Sequence, residues 1–116
     1  MSHLSFKTLT QDLNQALATF RADQPDTMAG FSSLAKAALA PGALTAVHKE
    51  LMALAIGVAG HCDGCIGFHV KALRRMDVPR DQFMETLAVA VYMGGGPSLM
   101  YAAEAVRAYE EFEADG

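Results

Sequence analysis

The chain has 116 residues, 52% of them hydrophobic and 19% charged, with a formal net charge of −4. That balance excludes a disordered chain and supports one domain spanning 1–116 with a single core. An acidic chain without a basic cluster is a poor partner for nucleic acid, and the longest apolar run, Leu51 to Gly60, falls short of the roughly 18 residues a membrane span needs. No charged segment followed by an apolar one opens the chain, so no signal peptide is expected. These features predict a cytoplasmic setting, where a pair of cysteines serves catalysis or metal binding rather than a structural staple.

From Leu4 to Arg21 the apolar residues Phe6, Leu9, Leu13, Leu17 and Phe20 recur at helical spacing. Asp23 to Asp26, with Pro25 inside it, breaks this first helix. A second segment carries Met28, Phe31, Leu34 and Leu39 and ends at Ala40-Pro41-Gly42. Thr45 is the expected N-cap of a third helix running to about Gly60, apolar on nearly every side and hence central. A fourth helix is expected from near Cys62 to Met76. Asp77-Val78-Pro79 forms a turn with proline near the start of a fifth helix, and Asp81 lies in its first turn. Gly94-Gly95-Gly96-Pro97 stops the fifth helix, and a sixth follows through Leu99, Ala102, Val106 and Tyr109 to an acidic, frayed last turn, Glu110 to Asp115. No window alternates with period two, as a half-buried strand would. The fold class is all-α, with about six helices.

The third and fifth helices are apolar almost all round, yet so short a chain has few elements to cover them. A homo-oligomer is therefore expected, its subunits burying what one chain leaves open.

Chemistry concentrates at His61-Cys62-Asp63-Gly64-Cys65-Ile66-Gly67-Phe68-His69, which holds both cysteines of the chain. At about 100° per residue, Cys62, Cys65 and His69 would share an arc roughly 60° wide with Ile66, Leu73 and Met76, on the core-facing stripe. Asp63, Lys71, Arg74 and Arg75 fall opposite. The tight reversal at Gly60-His61 makes the third and fourth helices antiparallel neighbours. Glu50 lies roughly 15 Å back along the third and His69 roughly 12 Å along the fourth, so the two reach similar depth. A carboxylate in so apolar a helix needs a partner, and His69 is the nearest candidate. An imidazole backed by a carboxylate and one turn from Cys65 lowers a thiol pKa and shuttles its proton, and the helix start favours thiolate at Cys62. Taken singly, Glu50 reads as a rim residue, His69 as a core histidine and Cys65 as a small buried hydrophobe. Together they read as a site. His61 and His48 lie off the arc and read as structural or surface residues. Gly64 and Gly67 also lie away from it, where close packing or a partner's approach accounts for them.

Glu50, the Cys62-Asp63-Gly64-Cys65 motif and His69 together resemble the carboxymuconolactone decarboxylase family, on its alkylhydroperoxidase D-like branch. Val78-Pro79-Arg80-Asp81-Gln82-Phe83 and Met93-Gly94-Gly95-Gly96-Pro97 are similar to small members of that group, and the resemblance is strongest over 45–112. It implies an all-helical fold assembling as trimers or hexamers, with thiol-dependent peroxidase activity. It also implies Cys62 and Cys65 as the redox pair and Glu50 and His69 as the proton relay. Alkylhydroperoxidase D carries a histidine next to its second cysteine where this chain has Gly64, so that residue's part is missing here or taken by another group, such as His61.

In the expected cycle, Cys65 thiolate attacks a small hydroperoxide and becomes a sulfenic acid, and Cys62 condenses with it to a disulfide. A dithiol donor, a protein or a lipoyl-type group, restores both thiols by exchange. Which cysteine strikes first stays open. The cycle calls for no bound cofactor and no metal. Two alternatives stand beside it: a dithiol adaptor reducing a separate peroxiredoxin, and a zinc-binding or purely structural oligomer using the same two cysteines, histidine and carboxylate.

Overall fold

Six α-helices and no strand make up the regular structure of residues 5–113, the part of the chain described by the computed structural model. They are α1 (Phe6–Asp23), α2 (Pro25–Leu39), α3 (Ala46–Ala59), α4 (Asp63–Arg75), α5 (Arg80–Gly94) and α6 (Gly96–Glu113). The breaks fall where residue chemistry requires them. Pro25 takes the first position of α2, where its missing N–H costs nothing. Thr45 caps α3 by accepting the His48 N–H at 3.1 Å. Between α5 and α6, Gly95 adopts a left-handed backbone (φ 81), and a side chain at Gly94 would overlap Ser98. The glycine run is thus a helix stop and also a close approach of two helices. The expected start of the first helix at Leu4, and the end of the acidic tail, lie outside the described residues; α6 itself continues through Glu113.

The core lies among α3, α4, α5 and α6: α3 packs on α4 and α5, and both of these pack on α6. Leu54, Val58, Ile66, Val70, Leu73, Phe83, Ala105 and Ala108 are fully inaccessible. Each large aliphatic among them adds about 1.5–3 kcal/mol on leaving water. Arg74 reaches from α4 to lie 4.0 Å over the Tyr109 ring of α6. The first helix docks on this core through its beginning. Phe6 and Thr10 are buried, and added Cβ atoms at Gly67 and Gly64 would meet Thr10 and Leu13, so close packing by α1 accounts for both glycines. Arg107 lies over the Phe6 ring, and Glu111 accepts the Lys7 backbone N–H at 2.8 Å.

Less of the first two helices is covered than of the other four. Beyond Leu13 the apolar stripe of α1 runs into solvent at Leu17 and Phe20, and α2 contains no buried residue, with Phe31 and Leu34 exposed. Amphipathic spacing marks an apolar stripe without saying what faces it. The third helix is central, touching α2, α4, α5 and α6, but it leaves Met52 and Ile56 exposed, as α5 leaves Val89, Tyr92 and Met93. No helix among the described residues is long and apolar enough to cross a membrane.

Candidate active site

The reversal between α3 and α4 takes three residues, Gly60, His61 and Cys62, and the α3 carbonyls fix it. Gly60 N donates to Ile56 O at 2.7 Å, His61 N to Val58 O at 3.2 Å and Cys62 N to Gly57 O at 2.9 Å. His61 sits at φ 58, in the left-handed region. So tight a turn leaves Cys62 extended (φ −113, ψ 100) as the N-cap of α4, its sulfur accepting the Cys65 N–H at 3.1 Å in the manner of a capping oxygen. Cys62 and Cys65 are joined by a disulfide, with their Cα atoms 5.2 Å apart.

This corrects the single core-facing arc read from the helical period. Cys62 precedes the helix, Cys65 and His69 are half-buried, and Met76 is exposed. The stripe of α4 that enters the core is Ile66, Val70 and Leu73. Cys65 and His69 stand one residue before Ile66 and Val70, a rotation of about 100° that brings them to the edge of the buried face. Asp63, assigned to the far side, has one carboxylate oxygen buried without a hydrogen-bond partner. It occupies the first turn of α4, where the helix dipole favours an anion. Arg107 lies within its field. The Arg107 guanidinium is held above its usual pKa chiefly by the hydrogen bond to Glu104, against the opposing effect of burial, with smaller Coulombic support from Glu104, Glu111 and Asp63.

Glu50 and His69 meet. The Glu50 side chain is turned inward, leaving the residue 7% exposed, and its Oε2 lies 2.6 Å from His69 Nδ1. A carboxylate is an acceptor only, so the ring donates through Nδ1–H and presents Nε2 as its working nitrogen. Such a charge-assisted bond also orients the ring. Lys49 turns the other way and donates to the Ala40 carbonyl at 2.6 Å. His48 is exposed and lines a shallow groove between α3 and α5 with Leu51, Glu85 and Val89. Among the described residues, no group of three or more histidine, cysteine, aspartate or glutamate side chains is placed to hold a metal ion.

Two contributors escaped the sequence reading. Gly57 touches both cysteines: its carbonyl accepts the Cys62 N–H, and a Cβ there would stand 2.9 Å from Cys65 Cβ. The available signal was a glycine inside a helix, which costs about 1 kcal/mol relative to alanine and asks for a packing reason. The other is the surroundings of His61, whose ring stacks on Tyr101 (centroids 4.8 Å apart, planes 9° apart) with Nε2 3.3 Å from Ser98 Oγ. These partners come from the start of α6, and nothing local in the sequence points to them.

Comparison with known proteins shows the family. Residues 25–108 match the model of the carboxymuconolactone decarboxylase family. An uncharacterised protein of Cupriavidus necator is 37% identical over 108 residues, covering 93% of this chain and 96% of its own length. Uncharacterised protein 4 in the cox locus of Paracoccus denitrificans is 35% identical over 83 residues, covering 72% of this chain and 75% of its own. The crystal structure of the apo form of a carboxymuconolactone decarboxylase family protein from Legionella pneumophila superposes with a TM-score of 0.91 at 55% identity, covering 93% of this chain and 96% of that one. With its six-helix fold and its C-x-x-C disulfide, the chain belongs to the carboxymuconolactone decarboxylase family, in keeping with its alkylhydroperoxidase D-like branch.

Proposed function

We propose that the protein is a thiol-dependent peroxidase that reduces a small hydroperoxide through a Cys62–Cys65 dithiol–disulfide cycle, with Glu50 and His69 as its proton relay. The observation that carries this reading is the 2.6 Å contact between the buried Glu50 carboxylate and His69, on the helix that Cys62 caps and Cys65 belongs to. A carboxylate of that kind holds an imidazole ready to take a thiol proton and give it back.

In the oxidative half, His69 Nε2 takes the proton of Cys65, and the thiolate attacks the outer oxygen of the hydroperoxide. The O–O bond breaks, the alcohol leaves with the proton returned by His69, and Cys65 is left as a sulfenic acid. The Cys62 thiol attacks that sulfur, the S–O bond breaks, and water departs as the disulfide forms. In the reductive half, one thiolate of a dithiol donor, a protein or a lipoyl-type group, attacks the disulfide. The donor's second thiol then closes on the first, leaving two cysteine thiols and an oxidised donor. The disulfide between Cys62 and Cys65 corresponds to the oxidised end of this cycle.

The setting proposed is cytoplasmic and the assembly a homo-oligomer, a trimer or hexamer. Ile56 at 72% exposure, Tyr92 at 83% and Met93 at 74% are large apolar side chains that a second copy would cover.

The test is turnover of tert-butyl hydroperoxide with dithiothreitol as donor. Wild type should consume hydroperoxide catalytically, and Cys62→Ser and Cys65→Ser should each abolish turnover. Full turnover in either variant would remove the disulfide from the cycle. Rapid dithiol exchange without hydroperoxide consumption would instead support an adaptor that reduces a separate peroxiredoxin.

A further inference from the structure

His61 occupies a backbone position that glycine would hold at no steric cost. A histidine at φ 58 costs on the order of 1–2 kcal/mol. Its ring is exposed rather than packed into the core, and two side chains of α6 fix it. Tyr101 stacks beneath it, and Ser98, 0% exposed, brings its hydroxyl to Nε2. A buried hydroxyl needs a partner, which makes His61 the natural one for Ser98.

The choice of anchors is informative. A hydroxyl both donates and accepts, so Ser98 can donate to a neutral Nε2 or accept from a protonated one. An imidazolium over a tyrosine face is favoured by the ring quadrupole, and a neutral imidazole stacks there as well. Both contacts are thus compatible with either form of the ring, while Nδ1 has no hydrogen-bond partner among the described residues. An acid–base group requires that property, and a purely structural histidine does not. The residue next along the chain is Cys62, the cysteine outside the helix. Cys65, by contrast, is pressed against Gly57 of α3.

We infer that His61 is a second acid–base group, serving thiol–disulfide exchange between Cys62 and the incoming dithiol donor, as Glu50 and His69 serve Cys65. The inference rests on the dithiol cycle proposed above. In the first exchange, His61 takes the proton of a donor thiol, whose sulfur attacks Cys62 Sγ. The Cys62–Cys65 bond breaks, and Cys65 leaves as a thiolate that takes a proton from solvent through His69. In the second, the remaining donor thiol gives its proton to solvent and attacks the donor sulfur of the mixed disulfide, and Cys62 leaves with the proton held on His61. The donor has lost two electrons and two protons, and the protein has gained two thiols.

Reduction of the disulfide can be timed without any hydroperoxide, so failure here is distinct from failure of the peroxidase reading. His61→Gly and His61→Asn both suit a left-handed backbone and keep the turn while removing the imidazole. Second-order reduction by dithiothreitol should slow on the order of tenfold in both, the low end for general acid–base catalysis because buffer competes at an exposed site. Added imidazole should restore the rate. Reduction by tris(2-carboxyethyl)phosphine, which has no thiol to deprotonate, should stay within about twofold of wild type. Equal loss with both reductants, no loss with dithiothreitol, or a loss that imidazole does not repair would each overturn the assignment.

Discussion

Glu50 on α3 and His69 on α4, nineteen positions apart, meet at 2.6 Å, with His69 one turn beyond Cys65, whose disulfide partner Cys62 caps the same helix. The contact exists because α3 and α4 run antiparallel from one short reversal, so residues at similar distances from the turn lie level. It gives Glu50 a partner inside an apolar helix and gives His69 a fixed tautomer.

Replacing Glu50 by glutamine keeps the size of the side chain and a hydrogen-bonding oxygen but removes the charge that stabilises an imidazolium. Hydroperoxide turnover should fall on the order of 100-fold, the scale of one general acid–base group. Circular dichroism should remain that of wild type. Unchanged turnover would take Glu50 out of the relay.

Gly57 sets helix propensity against packing. Alanine there gains about 1 kcal/mol in propensity, but its Cβ would stand 2.9 Å from Cys65 Cβ, and Cys65 is held by helix and disulfide. Overpacking of that kind costs about 1–3 kcal/mol, so Gly57→Ala should be net destabilising and should disturb the cysteine pair. Gly30, in α2, has nothing within 4 Å of an added Cβ, and Gly30→Ala should gain about 0.5–1 kcal/mol. Urea midpoints of the two variants should move in opposite directions.

Leu73 is fully buried on the stripe of α4 that enters the core. Leu73→Ala should cost about 2–5 kcal/mol in chemical denaturation. A loss under 1 kcal/mol would mean that α4 is less firmly seated than its burial indicates.

The exposed apolar side chains Ile56, Tyr92 and Met93 predict self-association. Sedimentation should show a trimer or hexamer, and Ile56→Glu combined with Met93→Glu should release smaller species. A wild-type monomer at micromolar concentration would leave these side chains without the proposed cover.

Much of this was legible in the chain. Proline at 25, threonine at 45 and the glycines at 94 to 96 punctuate the helices by local chemistry, which acts within a few residues and can be read there. The Glu50–His69 pairing followed from counting residues out from the Gly60-His61 reversal. What the helical period could not supply was Cys62, because a cap residue leaves the helix and its angle no longer applies. Nor could it show that α2 buries nothing, since a stripe such as Phe31 and Leu34 looks the same whether or not anything faces it. His61, off the arc, reads from the sequence as structural or surface, and otherwise only as a stand-in for the relay histidine missing at Gly64; its partners Ser98 and Tyr101 come from 37 and 40 positions away, a relationship only folding creates.

The dithiol cycle is tested most directly by counting free thiols in the pure, reduced protein before and after one equivalent of tert-butyl hydroperoxide. Wild type, with two cysteines, should lose both thiols as one alcohol forms, and His69→Ala should do so on the order of 100-fold more slowly. Two thiols that persist in wild type after the hydroperoxide has been added would contradict the cycle.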